Sequence, residues 1–240
     1  MPVSAARRVQ RELLDELAAD DPRAVHSRRD LNRVNTWMLQ PGIMARWLLR
    51  HHAGAAPRTL LDLGSGDGAF ILRVARILAP RWPGVAVTML DRQDIVSAKT
   101  RRGFDALGWS ANLVNADLFG ALEDGALPAA DVATANLFLH HFTDQQLGEL
   151  LPRVARLAPL FVACEPRRAA LPHVATRMLW VIGCNGVTLH DARVSVEAGF
   201  TGRELSGLWP EPGRWRLHEQ AAPPFSHGFA ARRLEAVHDT

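Results

Sequence analysis

The sequence predicts an α/β fold: a doubly wound, mainly parallel seven-stranded sheet with a C-terminal antiparallel hairpin and an N-terminal helical lid. Three observations carry this expectation. From Arg58 onward, short apolar stretches alternate with longer amphipathic ones, the pattern of strands feeding crossover helices. The last two strand-like stretches have only Pro223–Phe225 between them, too short for anything but a hairpin. Residues 3–52 repeat apolar positions at helical spacing. With 240 residues and 48% apolar content, the chain has enough material for one buried core, so the expected division is a lid over 1–55 and one compact unit over 56–240.

Composition narrows the partners. The start, MPVSAARRVQRELL, has no long apolar segment behind its charges, and runs such as LFVAC fall far short of a membrane span, so a cytoplasmic protein without membrane insertion is expected. Cys164 and Cys184 have neither CxxC spacing nor a disulfide framework and read as buried thiols. The net charge is +3, carried almost wholly by arginine, with Lys99 the sole lysine. No dense basic run accompanies it, which makes only a weak case for nucleic acid. Nothing in the sequence reports an oligomeric state.

Each element has its own justification. Breaks at Asp20–Pro22 and Gln40–Gly42 divide the N-terminal region into three short helices. TLLDL (59–63), VAVTML (85–90), ANLVNA (111–116), DVATANL (131–137) and LFVACE (160–165) are the parallel strand candidates. ILRVARIL (71–78), QQLGELLPRVARL (145–157) and LPHVATRMLWVI (171–182) are helical, and RWRLHEQAA (214–222) with SHGFAARR (226–233) makes the hairpin. Thr143–Gln146 reads TDQQ, a capping box flanked by Phe142 and Leu147 as a hydrophobic staple. The adjacent His140 and His141 therefore stand at the carboxyl end of the fourth strand, where open α/β sheets bind ligands.

LLDLGSGDGAF (60–70) runs from strand through a glycine turn into a helix. Gly64, Gly66 and Gly68 permit positive φ and close approach of a ligand to the backbone, while the helix start offers unpaired N–H groups. With Ala69 in the last place, the loop also fits a dinucleotide fingerprint. The neighbouring acids discriminate. Asp62 lies where a buried strand needs a partner for a carboxylate, and an ammonium would supply one where a pyrophosphate would be repelled. Asp91 ends the second strand, placed for ribose hydroxyls, and Asp117 beside Leu118 ends the third, placed for an adenine amino group. Three acids at successive strand ends suit a ligand with a ribose, an adenine and a cationic amino acid tail.

On these residues the chain resembles the class I S-adenosylmethionine-dependent methyltransferases, over roughly Arg58 to Arg233. The resemblance implies a Rossmann-like sheet, S-adenosylmethionine as cofactor, and a set of roles. Asp62 would serve the methionine ammonium, Gly64, Ser65, Gly66 and Gly68 the backbone approach, and Asp91 with Arg92 the ribose. Asp117 and Leu118 would hold the adenine, and Asn136 and Leu137 the edge nearest the methyl group. From the lid, Arg33 could pair with the cofactor carboxylate through its planar fork, while Asn35 and Trp37 would face the substrate.

Amino-directed members of the family carry an Asn/Asp-Pro-Pro-Tyr/Phe motif after the fourth strand. Here that position reads Asn136-Leu-Phe-Leu, and the chain has no tyrosine. The LHHF form looks like bacterial small-molecule methyltransferases instead. RRDLNRVNTWM (28–38) and HDARVSVEAGF (190–200) are similar to those associated with type III polyketide synthases, which modify phenolic lipids. The resemblance thus implies O-methylation of a hydroxylated aromatic small molecule, with C- or N-methylation of a quinone-like or nucleic-acid substrate, or non-catalytic adenosine binding, as alternatives.

A phenol with pKa near 10 must lose its proton, and a positioned base contributes roughly 10²–10⁴ in rate. His141 is the first candidate and His140 the second, since adjacent residues in an extended turn point opposite ways; both could also be pocket wall. Glu165 at the end of the fifth strand and His190 in the substrate region are further substrate-side candidates. No His, Cys and carboxylate set has recognisable ligand spacing, so no metal is expected.

Overall fold

The computed structural model describes residues 6–18, 20–37, 39–170 and 183–234, without the side chains of residues 15, 31, 32 and 35–37. The helix expected over 171–182 lies outside the described residues. Five parallel strands form most of the sheet: β1 (Thr59–Leu63), β2 (Ala86–Asp91), β3 (Ser110–Asn115), β4 (Val132–Asn136) and β5 (Leu160–Pro166). The hairpin of β6 (Trp215–Ala222) and β7 (Ser226–Arg233) completes it in the order β3-β2-β1-β4-β5-β7-β6. β7 enters antiparallel beside β5, with Glu165 opposite His227. Strand order reverses between β1 and β4, and such a reversal opens a crevice at the strands' carboxyl ends.

Helices cover both faces, which is why every residue of β5 is buried. α4 (Ala69–Leu78) buries Phe70, Ile71, Val74, Ala75 and Leu78, and α7 (Asp144–Leu157) buries Leu147, Leu150, Leu151, Val154 and Ala155, each a single helical stripe. α5 (Ala98–Asp105), α6 (Leu118–Glu123), α8 (Gly186–Ala198) and α9 (Glu204–Leu208) complete the layers. The capping box at Thr143 forms as its sequence predicts. Among the described residues, no helix is long and apolar enough to cross a membrane.

The N-terminal region forms three helices, α1 (Leu13–Glu16), α2 (Pro22–Trp37) and α3 (Gln40–His51). They do not act as one cover. Ile43, Met44, Trp47 and Leu48 of α3 are buried in the same core cluster as β1, α4 and β5. The Trp47 ring lies so close over Gly228 of β7 that a Cβ there would sit 2.4 Å from it. A boundary at residue 55 therefore cuts through the core. Only the chain before α3 lies over the crevice.

Candidate active site

The carboxyl ends of β1, β2 and β4 open into a cavity of about 590 Å³, within the size range of small-molecule sites. Asp62, Gly64, Ser65, Gly66, Asp91 and Arg92 line one side. Asp117, Leu118, Asn136, Leu137 and His141 line the other, and Gln10, Arg11, Leu14 and Arg28 close it from the N-terminal region.

The glycine turn has its form because each glycine meets a different demand. All three adopt positive φ, at +70° for Gly64, +55° for Gly66 and +70° for Gly68. A Cβ on Gly64 would strike the Phe138 ring at 2.2 Å, and one on Gly68 would meet Met89 Sδ at 2.9 Å. Nothing lies within 4 Å of a Cβ on Gly66, which borders the cavity. Gly64 and Gly68 thus serve packing, and Gly66 leaves room for a ligand. Gly68 stands behind the cavity as the N-cap residue of α4.

Asp62 is buried and accepts a hydrogen bond from Thr134 Oγ1 at 2.7 Å. Burial drives its pKa up to about 6, with the nearby Asp91 charge adding to this and the Thr134 and Ser65 hydrogen bonds opposing it. A cation beside it would restore its charge. Asp117 is exposed and caps α6, its Oδ1 accepting N–H bonds from Phe119 and Gly120. Asn136 Oδ1 is buried with no hydrogen-bond partner among the described residues, although the residue lines the cavity. Leu137 sits at φ +50°, a conformation that costs a β-carbon residue on the order of 1–3 kcal/mol and clusters at functional sites.

The histidine turn departs from its expected form. Leu139–His141 is one turn of 3₁₀ helix, not an extended segment, so the two imidazoles stay side by side with centroids 4.3 Å apart. Glu165 is buried behind them and does not reach the cavity. Its Oε1 accepts the N–H groups of Phe138 at 3.1 Å and Leu139 at 2.9 Å, while Oε2 takes His140 N–H at 3.4 Å and stands 2.9 Å from His140 Nδ1. On the other side, His140 Nε2 lies 3.3 Å from Glu12 Oε1. Burial alone would lower the pKa of His140, but the two carboxylates outweigh it and hold the ring protonated up to about 9. Glu12 responds in the opposite sense: burial would raise its pKa, yet His140 and His141 bring it down to about 2. His141 is the member of the pair that lines the cavity, with Nε2 4.0 Å from Glu12 Oε2.

Glu12 carries no sequence signal; it lies 128 positions from His140, in extended backbone just before α1. The fold holds it there by strapping the N-terminal segment down. Asp191 of α8 accepts the N–H groups of Leu13 at 2.8 Å and Leu14 at 3.0 Å. Arg7 donates to the carbonyls of Ala198 at 2.9 Å and Phe142 at 3.0 Å and lies over the Phe200 ring.

Three expected contributors stand elsewhere. Arg33 pairs with Asp30 on its own helix and is not part of the cavity wall, because Asp30 is turned toward Asn185 and Thr188 at the start of α8. His190 bonds its neighbour Asp191 at 3.0 Å and likewise lies off the wall. Glu165 frames the histidine turn from behind. Asn35 and Trp37 fall in the last turn of α2, and their side chains are outside the described set.

Comparison with known proteins agrees with this geometry. No curated protein matches the chain by sequence. Among solved structures, an O-methyltransferase family protein from Burkholderia thailandensis superposes with TM-score 0.60 at 19% identity, over 91% of this chain and 62% of its own. The mitomycin 7-O-methyltransferase MmcR gives TM-score 0.60 at 19% identity, over 92% and 60%. Human N-acetylserotonin methyltransferase gives 0.54 at 17%, over 93% and 63%. The chain thus spans about three-fifths of the length of these proteins, and at such identities the likeness speaks for the fold. Residues 26–161, more than half the chain, match the family model of the O-methyltransferase domain. With that match added to the glycine turn and the three strand-end acids, the chain belongs to the O-methyltransferase domain family of class I S-adenosylmethionine-dependent methyltransferases.

Proposed function

We propose that this chain transfers the methyl group of S-adenosylmethionine to an oxygen of a hydroxylated aromatic small molecule, with a polyketide-derived phenol as the first class of acceptor. The observation that carries the reading is a single cavity bordered by a buried, charge-hungry Asp62 at one end and by His141 at the other.

The residues fit the cofactor. Asp62 would take its ammonium, Gly66 would let it approach the backbone, Asp91 would accept from the ribose, and Asp117 with Leu118 would hold the adenine. The orphaned Asn136 Oδ1 offers one more acceptor. Bound there, S-adenosylmethionine supplies a methyl group on a sulfonium, open to in-line displacement. Holding the acceptor in line supplies on the order of 7–11 kcal/mol. Of the two histidines, His141 borders the acceptor and has first claim on its hydroxyl proton, since both ring nitrogens of His140 face carboxylates. Phe138 and Phe142 give the adjoining wall the apolar, aromatic character that a planar acceptor packs against.

Calorimetry with S-adenosylmethionine and a panel of phenols assayed with labelled methyl donor test the reading. Label on an acceptor oxygen supports it; label on carbon or nitrogen, or no cofactor binding, overturns it. In the same assays, His141→Ala should lower turnover by roughly 10²–10⁴ while cofactor affinity changes little.

A further inference from the structure

Away from the crevice, the hairpin and the end of α3 bring Arg50, His51, Arg216, His218 and Arg232 together. In the register of β6 on β7, Arg216 stands opposite Arg232 and His218 opposite Ala230. Strand alternation puts these side chains on the face that carries Gly228, which is the face that Trp47 of α3 covers. One turn further along α3, the His51 ring lies 4.8 Å from that of His218 and 5.3 Å from that of Trp47, with Arg50 in the same last turn. We infer that this cluster is a binding site for a dianionic phosphate group, free or borne by an organic ester.

The charges are the first argument. Like charges directly opposite each other on antiparallel strands are destabilising, so Arg216 beside Arg232 works against the fold until an anion joins them. The attraction of a helix carboxyl end for cations accounts for Arg50 and His51, but not for two arginines on the hairpin. No acid offsets them. Glu219, the single acid of β6 and β7, lies on the opposite face, where it holds His227 at 2.8 Å and accepts the N–H groups of Leu205 and Ser206. Burial, and after it His218, Arg50 and Arg232, pushes the His51 pKa down to about 4, with no acid acting on it. An oxyanion bound beside the ring would reverse that shift.

The donors set the ligand chemistry. Guanidinium groups placed opposite each other on adjacent strands can close on one tetrahedral anion, each through its planar fork, and two imidazoles add N–H donors. A carboxylate brings two oxygens and one charge to that set, whereas a phosphate dianion brings more oxygens and twice the charge. Arg50 and Arg216 are exposed and the other three half-buried, so the site has a floor and is open to solvent. None of the five lines the cavity. Arg232 stands opposite Leu160, the first residue of β5, at the far end of the sheet. With about 20 Å of β5 between this cluster and the strands' carboxyl ends, the phosphate group is an anchor or an effector and not the recipient of the methyl group.

Inorganic phosphate, titrated calorimetrically into the full chain, tests the site, with phenyl phosphate as the ester probe and sulfate as a dianion whose own charge is constant across neutral pH. One anion per chain should bind. Arg216→Gln and Arg232→Gln should each weaken phosphate binding about tenfold or more, the loss of a hydrogen bond to a charged group. Arg216→Gln also removes the repulsion with Arg232, so melting should show the empty variant at least as stable as the wild type. Sulfate binding should tighten and take up protons as pH falls from about 7 to about 5, and His51→Gln should lose that dependence. Equal affinity for phosphate and phenyl phosphate assigns the site to the phosphate group alone and tighter phenyl phosphate assigns it to an ester; either sustains the inference. No stoichiometric binding to the wild type, or unchanged binding in the folded variants, overturns it. So does binding of polyglutamate without binding of phosphate, the mark of an extended acidic partner.

Discussion

The backbone N–H of Gly66 donates to Asp91 Oδ2 across 2.8 Å, so the acid at the end of β2 holds the glycine turn of β1 in place. Asp91 also accepts the N–H of Gln93 at 2.9 Å. Asp91→Ala should weaken S-adenosylmethionine binding by about 1.5–3 kcal/mol, the worth of a hydrogen bond to a charged group, with extra loss as the turn loosens. Isothermal calorimetry on the folded variant checks this; unchanged affinity would remove Asp91 from the site.

Asp62 sets a pH window. Its folded pKa of about 6 stands above the unfolded value near 4, so the folded chain holds that proton more tightly. The ligand-free protein should therefore lose stability as pH rises from about 4 to 6. A bound ammonium favours the charged form, so cofactor affinity should rise through the same range, by about tenfold between pH 5 and pH 7. Calorimetry in buffers of different ionisation enthalpy should detect a proton released on binding near pH 5.5. Asp62→Asn should abolish that release and raise the melting temperature of the empty protein by a few degrees, about 1 kcal/mol.

The glycines should separate stability from binding. An alanine at Gly64 or Gly66 faces the left-handed backbone penalty of about 1–2 kcal/mol, but only Gly64→Ala also displaces the Phe138 ring. Gly64→Ala should be the more destabilising on denaturant unfolding. Gly66→Ala should stay close to wild type in packing and lose affinity for the cofactor. Equal loss of stability in both would refute the division of roles.

The strap over the cavity permits a cleaner truncation than removal of all three N-terminal helices. Deleting residues 1–17 removes Glu12 and Leu14 but spares α3, so the α/β unit should fold and bind S-adenosylmethionine within about tenfold of wild type while turnover falls on the order of 10²-fold. Deletion through residue 52 takes Met44, Trp47 and Leu48 out of the core and should prevent folding. Full turnover in the shorter deletion would mean the strap is dispensable.

The parallel strands, the hairpin and the Thr143 cap were legible because each is written in local chemistry: apolar runs between glycine turns, a four-residue capping box, a loop too short for a crossover. The position of Asp62, Asp91 and Asp117 on the cavity wall was legible for the same reason, each lying near a strand end beside its own motif. What the sequence hid depends on distance along the chain. Nothing near Glu12 marks it as a partner of His140, and nothing near Trp47 shows that it packs on Gly228, since both pairings arise only when α1 and α3 fold back on the sheet. Arg33 misled because a solvated helix arginine and a ligand clamp look alike until Asp30 is seen beside it. The histidine turn misled through its backbone: an extended segment would part the rings, and one turn of 3₁₀ helix brings them together.

Glu165 engages the amide hydrogens of Phe138, Leu139 and His140, and with them the donors that this turn could have offered to a substrate oxygen gathering negative charge. Acyl and phosphoryl transfer depend on such donors, because their transition states concentrate charge on oxygen. Alkyl transfer from a sulfonium to a phenolate moves the other way, with opposite charges merging into neutral products. A turn whose amides are already committed, set in an aromatic wall, leaves an environment in which neutralisation is favoured and charge build-up is not. By holding its own backbone still, the fold selects among classes of reaction before any acceptor arrives.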